Sequence, residues 1–221
     1  MRRYLVLFAF LMLAVPMHAG AAPILDQQCC PTTSSGYFFN GDIRVQTFTA
    51  GLTGLLTGID VGLDFVSGSL PPFELYDGAF AAGQNVTTFG APRATLSLVN
   101  TGVSTPPAMP GTYFFADLSA SGILVTAGQQ FSIVMRPPPP PSLGTWIVGP
   151  GNSYAGGEFL VIFNLTGQPS PLLLQPAEAV FRTYVDPGVT PPPVPEPGTL
   201  LLIASGAAGL LARRRSRAAR A

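Results

Sequence analysis

Apolar and polar residues alternate with a period of two along much of the chain. Ile59, Val61, Leu63 and Phe65 alternate with Asp60, Gly62 and Asp64, and Phe131, Ile133 and Met135 with Gln130 and Ser132. Phe181, Thr183 and Val185 alternate with Arg182 and Tyr184, and Leu96 and Leu98 with Thr95, Ser97 and Asn100. Successive side chains of a strand point to opposite faces, so this spacing predicts strands with one buried and one polar face. Phe159-Leu-Val-Ile-Phe163 is apolar on both faces, the pattern of a central strand. Residues 43–50, 72–76, 122–126 and 144–148 bring the total to about nine strands between residues 37 and 186. The fold class this predicts is all-β: a two-sheet antiparallel β-sandwich of jelly-roll type, with a closed barrel as the alternative.

Two stretches break the period-two pattern, one at each end. Arg2-Arg3, the apolar run over residues 4–15 and the small residues Ala19-Gly20-Ala21 form the three parts of a signal peptide, with signal peptidase cutting after Ala21. As a helix the run spans about 18 Å, short of a hydrocarbon core of roughly 30 Å. Cys29 follows Asp26-Gln27-Gln28, bulky and polar where a lipidation signal needs small and aliphatic residues.

At the other end, residues 199–212 form a second apolar run, containing Gly206 and Gly209. As a helix it covers about 21 Å, short for a permanent span. Arg213, Arg214, Arg215 and Arg217 follow it as a basic stop that stays on the cytoplasmic side. The run therefore reads as a transient inner-membrane anchor. Pro195 and Pro197 stiffen the chain before it and hold Glu196 in an extended segment. The expected layout is a signal helix over 1–21, a β-sandwich domain over 22–186, a Pro-rich spacer over 187–193 and a sorting segment with a short hydrophobic helix over 194–217.

The order Val194-Pro195-Glu196-Pro197-Gly198, apolar helix, arginines closely resembles the PEP-CTERM sorting signal of Gram-negative bacteria. That resemblance implies recognition by an exosortase, cleavage near the Pro-Glu-Pro triplet, and delivery to the cell surface or extracellular matrix. It also implies a producer of extracellular polysaccharide. Gln46-Thr-Phe-Thr-Ala-Gly51, Gly54-Leu-Leu-Thr-Gly-Ile59, Ser153-Tyr-Ala-Gly-Gly157 and Ala179-Val-Phe-Arg-Thr-Tyr-Val185 resemble elements of exported bacterial jelly-roll domains. Those domains are similar in architecture to carbohydrate-binding modules, and the resemblance assigns no ligand residues.

The formal net charge of zero divides unevenly. Residues 22–193 hold four arginines against ten acids, a net of −6, while the remaining arginines sit at the two ends. Clustered cations for phosphate are missing, so a nucleic-acid partner is not expected. The chain has no lysine, and its one histidine, His18, lies in the signal peptide. Ser–His–Asp and Cys–His catalysis and His-based zinc sites are thereby excluded from the mature chain. Asp60, Asp64, Glu74, Asp77, Asp117 and Glu158 are the candidates for carboxylate chemistry of the glycosidase kind. Asp60 and Asp64 alone are too far apart along one strand, about 13 Å. The solvated polar face of a strand is the simpler use for them. The same acids are candidate Ca²⁺ ligands, although no Asp-x-Asp-x-Asp-Gly loop is present.

Cys29 and Cys30 are adjacent and fall outside the expected strands. In an oxidising compartment they pair with each other or between chains. The five prolines 137–141 read as a stiff connection between strands. Tyr76, Trp146, Tyr154 and Tyr184 are the candidate platforms for stacking on sugar rings, with core packing the competing use.

These readings converge on a non-enzymatic, exported surface or matrix protein without a cofactor, handled by signal peptidase and an exosortase and contacting exopolysaccharide. A structural or adhesive envelope protein retained by its tail is the alternative, and a carboxylate-only glycoside hydrolase a distant one.

Overall fold

A computed structural model of the chain describes residues 22–33, 35–38, 42–85, 89–106, 111–137, 143–151, 153–163 and 170–188. Ala19 and Ala21, the triplet at 195–197, the apolar run at 199–212, the arginines after it and both expected terminal helices lie outside them, as does most of the 137–141 proline run. All described residues belong to one compact unit, Met1–Val189.

The described residues form fifteen strands. In chain order they are β1 (Ile24–Cys29), β2 (Ser35–Phe38), β3 (Ile43–Thr49), β4 (Gly54–Ser67), β5 (Phe73–Asp77), β6 (Ala94–Leu96), β7 (Val99–Ser104) and β8 (Thr112–Asp117). There follow β9 (Leu124–Val125), β10 (Gln130–Met135), β11 (Leu143–Pro150), β12 (Phe159–Ile162), β13 (Leu173–Leu174), β14 (Ala177–Ala179) and β15 (Phe181–Asp186). They make two antiparallel sheets. The first runs β1-β15-β4-β11-β14, with β2 on β11, β8 and β9 on β4, and β7 beyond β8; the second runs β13-β12-β3-β10-β5-β6.

β4 organises the first sheet. Gly58, Ile59 and Asp60 each pair with β15 and with β8, so these neighbours lie on opposite edges of β4. Further along, Leu63 pairs with Trp146 of β11 on one edge and Thr112 of β8 on the other. The alternation read from the sequence decides which side chains face inward: Ile59, Val61 and Leu63 are buried in the core between the sheets. There Phe48 of β3 stacks on Phe131 of β10 at 5.4 Å and meets Phe181 of the opposite sheet at 5.9 Å. Trp146 meets Phe159 across the same gap at 5.8 Å, and its Nε1–H donates to the Val180 carbonyl at 3.2 Å. A buried indole with its N–H paired leaves no polar group to desolvate without compensation.

The second sheet is apolar on both faces. Ile43, Val45, Val134, Leu160 and Ile162 form a cluster on its outer side, roofed by Phe80 and Phe89, whose rings stack at 3.8 Å. The segment carrying Phe80 is pinned by Phe80 N–H donating to the Ser132 hydroxyl and by Gly83 N–H donating to the Leu172 carbonyl. This roof is why β12 is buried along its whole length, as its unbroken apolar run predicts.

Two strands escape the expected pattern, and one open alternative is decided. Cys29 closes β1, opposite Phe181, and does not fall outside the strands. Cys29 and Cys30 form a disulfide with each other, and both are fully buried. β8 is also a full strand where no alternation marked one, because Tyr113-Phe-Phe-Ala116 is apolar without interruption.

Gly149 of β11 makes room for the cystine. A Cβ there would lie 2.5 Å from Cys30 Cβ, 2.8 Å from its Sγ and 2.8 Å from the Thr32 carbonyl oxygen. None of those atoms is the end of a flexible side chain, so Gly149→Ala is expected to destabilise the domain by about 1–3 kcal/mol. Urea unfolding of the oxidised protein, compared with wild type, measures this.

Candidate functional site

The outward face of β15, β4 and β8 builds one groove from two rungs of paired residues. Tyr184, Gly58 and Asp117 form the first rung; Arg182, Asp60 and Phe115 form the second. Residues directly opposite on neighbouring strands share a face, so these side chains rise together. At Gly58 a Cβ would overlap the Phe115 ring, so the missing side chain is what lets that ring lie across β4 toward Tyr184. The two rings meet edge-on at 6.2 Å, and both are half-buried. Thr57, Thr101, Ser119 and Pro23 complete a groove of about 460 Å³, within the range of small-ligand sites.

Asp60 lies beneath the rings and is 5 % exposed, in contrast to the solvated strand-face acid expected from the alternation. The Tyr184 hydroxyl donates to Asp60 Oδ2 at 2.7 Å, and Arg182 Nη1 stands 4.0 Å from the same oxygen. Arg182 in turn lies 3.8 Å over the ring of Tyr113. Asp60 Oδ1 is buried with no hydrogen-bond partner among the described residues. Burial raises the Asp60 pKa above the ordinary aspartate value, opposed by the Tyr184 hydrogen bond and Arg182. Burial, with donation to Asp60, pushes Tyr184 up to about 12. Asp117, at the rim, is exposed; its Oδ1 accepts from both the hydroxyl and the N–H of Ser119, which lower its pKa.

Of the four aromatic platforms expected, only Tyr184 is not buried, and its ring stands at this groove. Trp146 is fully buried between the sheets. Tyr76 lies under Phe80 and Phe89 at 4 % exposure, its hydroxyl donating to Glu74 at 2.8 Å beside Arg136. Tyr154 is 8 % exposed, packs edge-on against Phe181 at 5.2 Å, and binds the β3 backbone through its hydroxyl. These three rings are packed as core. Phe115, the partner that sequence reasoning missed, sits in the strand that alternation did not reveal. A Phe two residues before a candidate acid was the only signal available.

A second cavity, about 600 Å³, is lined by Tyr154, Glu158, Gln175 and Glu178 among others. Glu178, also missed from the sequence, is 6 % exposed on β14. Its Oε2 accepts from Gln46 Nε2 at 2.9 Å, while Gln46 Oε1 accepts from Ala179 N–H at 2.7 Å. Gln46 belongs to the other sheet, so this pair ties the two layers. Burial first, then repulsion from Glu158, raises Glu178 to about 7. Among the described residues no group of three or more His, Cys, Asp or Glu side chains is placed to hold a metal ion.

Set against known families, residues 193–216 match the PEP-CTERM protein-sorting motif. The chain carries a PEP-CTERM sorting signal. It is thereby marked for export and for exosortase-type sorting as a surface protein. No curated protein matches the chain. Among the described residues no helix is long and apolar enough to cross a membrane.

The raised Glu178 pKa carries a sign. The folded state keeps a proton that the unfolded state releases above about pH 4.5, so its contribution to stability is complete at lower pH and is lost as pH rises to about 7. Asp60 acts in the same direction. Urea midpoints should therefore fall between pH 5 and pH 8, and Glu178→Gln should flatten much of that fall.

Proposed function

We propose that this is a non-enzymatic protein of the cell surface or extracellular matrix whose jelly-roll-type sandwich contacts exopolysaccharide. In this reading signal peptidase removes residues 1–21 after export, with Ala19 and Ala21 at the cut. The run over 199–212 holds the chain transiently in the inner membrane, with Arg213, Arg214, Arg215 and Arg217 on the cytoplasmic side. An exosortase then acts at Pro195-Glu196-Pro197.

The observation that carries the reading is the PEP-CTERM motif over residues 193–216 placed directly after an all-β domain. A binding role is favoured over hydrolysis by the state of the acids. Glu178, the one acid raised to about 7, is held by Gln46 as a tie between sheets, and Asp60 is engaged by Tyr184. A catalytic acid needs a free path to a leaving-group oxygen, and Tyr184 covers Asp60.

Replacing Pro195-Glu196-Pro197 by three alanines in the producing organism is expected to leave a longer, membrane-associated form. Cell fractionation with intact-mass measurement reads both cleavage points. An unchanged mass and location would remove the processing scheme, and failure of the wild-type protein to be retained on the producer's own matrix would remove the polysaccharide contact.

A further inference from the structure

We infer that the groove lined by Phe115 and Tyr184 is the polysaccharide subsite, and that it takes a neutral hexose in preference to a uronate or sulfated sugar. The inference rests on the polysaccharide contact proposed above and names its place and chemistry.

Three features of the groove point to a pyranose ring. Phe115 and Tyr184 offer half-buried apolar surfaces at 66° to one another, two walls of a trough. The C–H faces of a hexose suit such surfaces, because they are apolar while the hydroxyls project from the ring's edge. The hydroxyls are donors, and the groove supplies an acceptor at its rim. At the floor, Asp60 is 5 % exposed and covered by Tyr184, so it anchors that ring and does not itself meet a ligand. At the rim, both Ser119 bonds fall on Asp117 Oδ1, and Oδ2 accepts no hydrogen bond from the described residues. The third feature is pre-organisation. Gly58 seats the Phe115 ring, and the hydroxyl of Tyr184 is anchored on Asp60 Oδ2, so neither ring has to be ordered on binding.

Charge selects among sugars. The groove carries two carboxyl groups, and its neighbouring cation, Arg182, is already placed beside Asp60 and over Tyr113. No cation is left for an incoming carboxylate or sulfate, and the region from residue 22 to 193 carries a formal charge of −6. A uronate would meet like charge in a partly desolvated trough, which disfavours it at short range. Pro23 lines one end. It lies two residues past the expected signal-peptide cut, so that wall belongs to the mature chain.

The test is native affinity electrophoresis of the full, host-processed protein. Gels contain hydroxyethylcellulose, laminarin or galactomannan as neutral probes, or alginate and polygalacturonate as anionic ones. Wild type is compared with Tyr184→Ala, Phe115→Leu and Asp117→Ala. The leucine keeps most of the buried volume but loses the flat face, and Asp117 is exposed, so these two variants should melt like wild type. The expected result is retardation by at least one neutral glycan, at least tenfold weaker in Phe115→Leu and Tyr184→Ala, with at least tenfold less retardation by the anionic probes. Equal retardation of wild type and all three variants would overturn the groove while leaving polysaccharide contact standing. Stronger retardation by alginate would overturn the neutral class. No retardation of wild type by any probe would overturn both the subsite and the contact on which it rests.

Discussion

From Gly58 to Leu63 the strand β4 is hydrogen-bonded on both edges, with β15 and then β11 along one and β8 along the other. That double pairing allows a single register. A slip of one residue would turn Asp60 and Gly58 into the core and Ile59 and Val61 out to the surface. Both halves of the molecule hang on this register. Inward, Ile59, Val61 and Leu63 meet the Phe48–Phe131–Phe181 cluster and close the gap between the sheets. Outward, Gly58 and Asp60 form the floor on which Phe115 and Tyr184 stand.

Few charges are available, and the fold places several of them where water does not compete. Arg44 is buried with Asp42 at 3.0 Å, Glu178 is held across the sheets by Gln46, and Asp60 is covered by Tyr184. Buried ionic and polar pairs contribute little net stability against an apolar replacement, but breaking one partner away is costly. Gln46 shows the principle. Its amide satisfies a carboxylate and a backbone N–H of the opposite layer at once, which fixes how the two sheets lie against each other. On β11, Gly149, paired with Glu178, yields its volume to the cystine. The apolar contact between the sheets is thus oriented by a small number of polar and steric fits.

Much of the sandwich was legible. Alternation located β4, β10, β15 and part of β6, and the doubly apolar run located β12, because a half-buried or fully buried strand must show those patterns. The strands that escaped notice had other reasons to exist. β1 carries Asp-Gln-Gln: Gln27 and Gln28 pair with β15 through the backbone, while Asp26, at a shift in the register, accepts from Gly51 N–H. β8 is apolar at four successive positions since its Tyr113 is sealed by Arg182 on the outer face. Of the candidate platforms, Tyr184 alone escapes burial. Identity cannot separate a stacking ring from a packed one: Trp146 and Tyr154 face Phe159 and Phe181, and Tyr76 is roofed by a loop whose path no local pattern predicts.

Local order along the chain was enough to determine the all-β class, the absence of lysine and of any histidine besides His18, and the sorting signal at residues 193–216. Each of these is read from neighbours in the chain: a period, an absence, or a motif with its flanking runs. The tertiary structure alone decided that Asp60, Phe115, Asp117 and Tyr184 share one groove, that Glu178 meets Gln46, and that Cys29 and Cys30 lie in the core. Those facts depend on strands more than a hundred residues apart coming into register. The free energy that selects the register comes from burying the other face of the same strands.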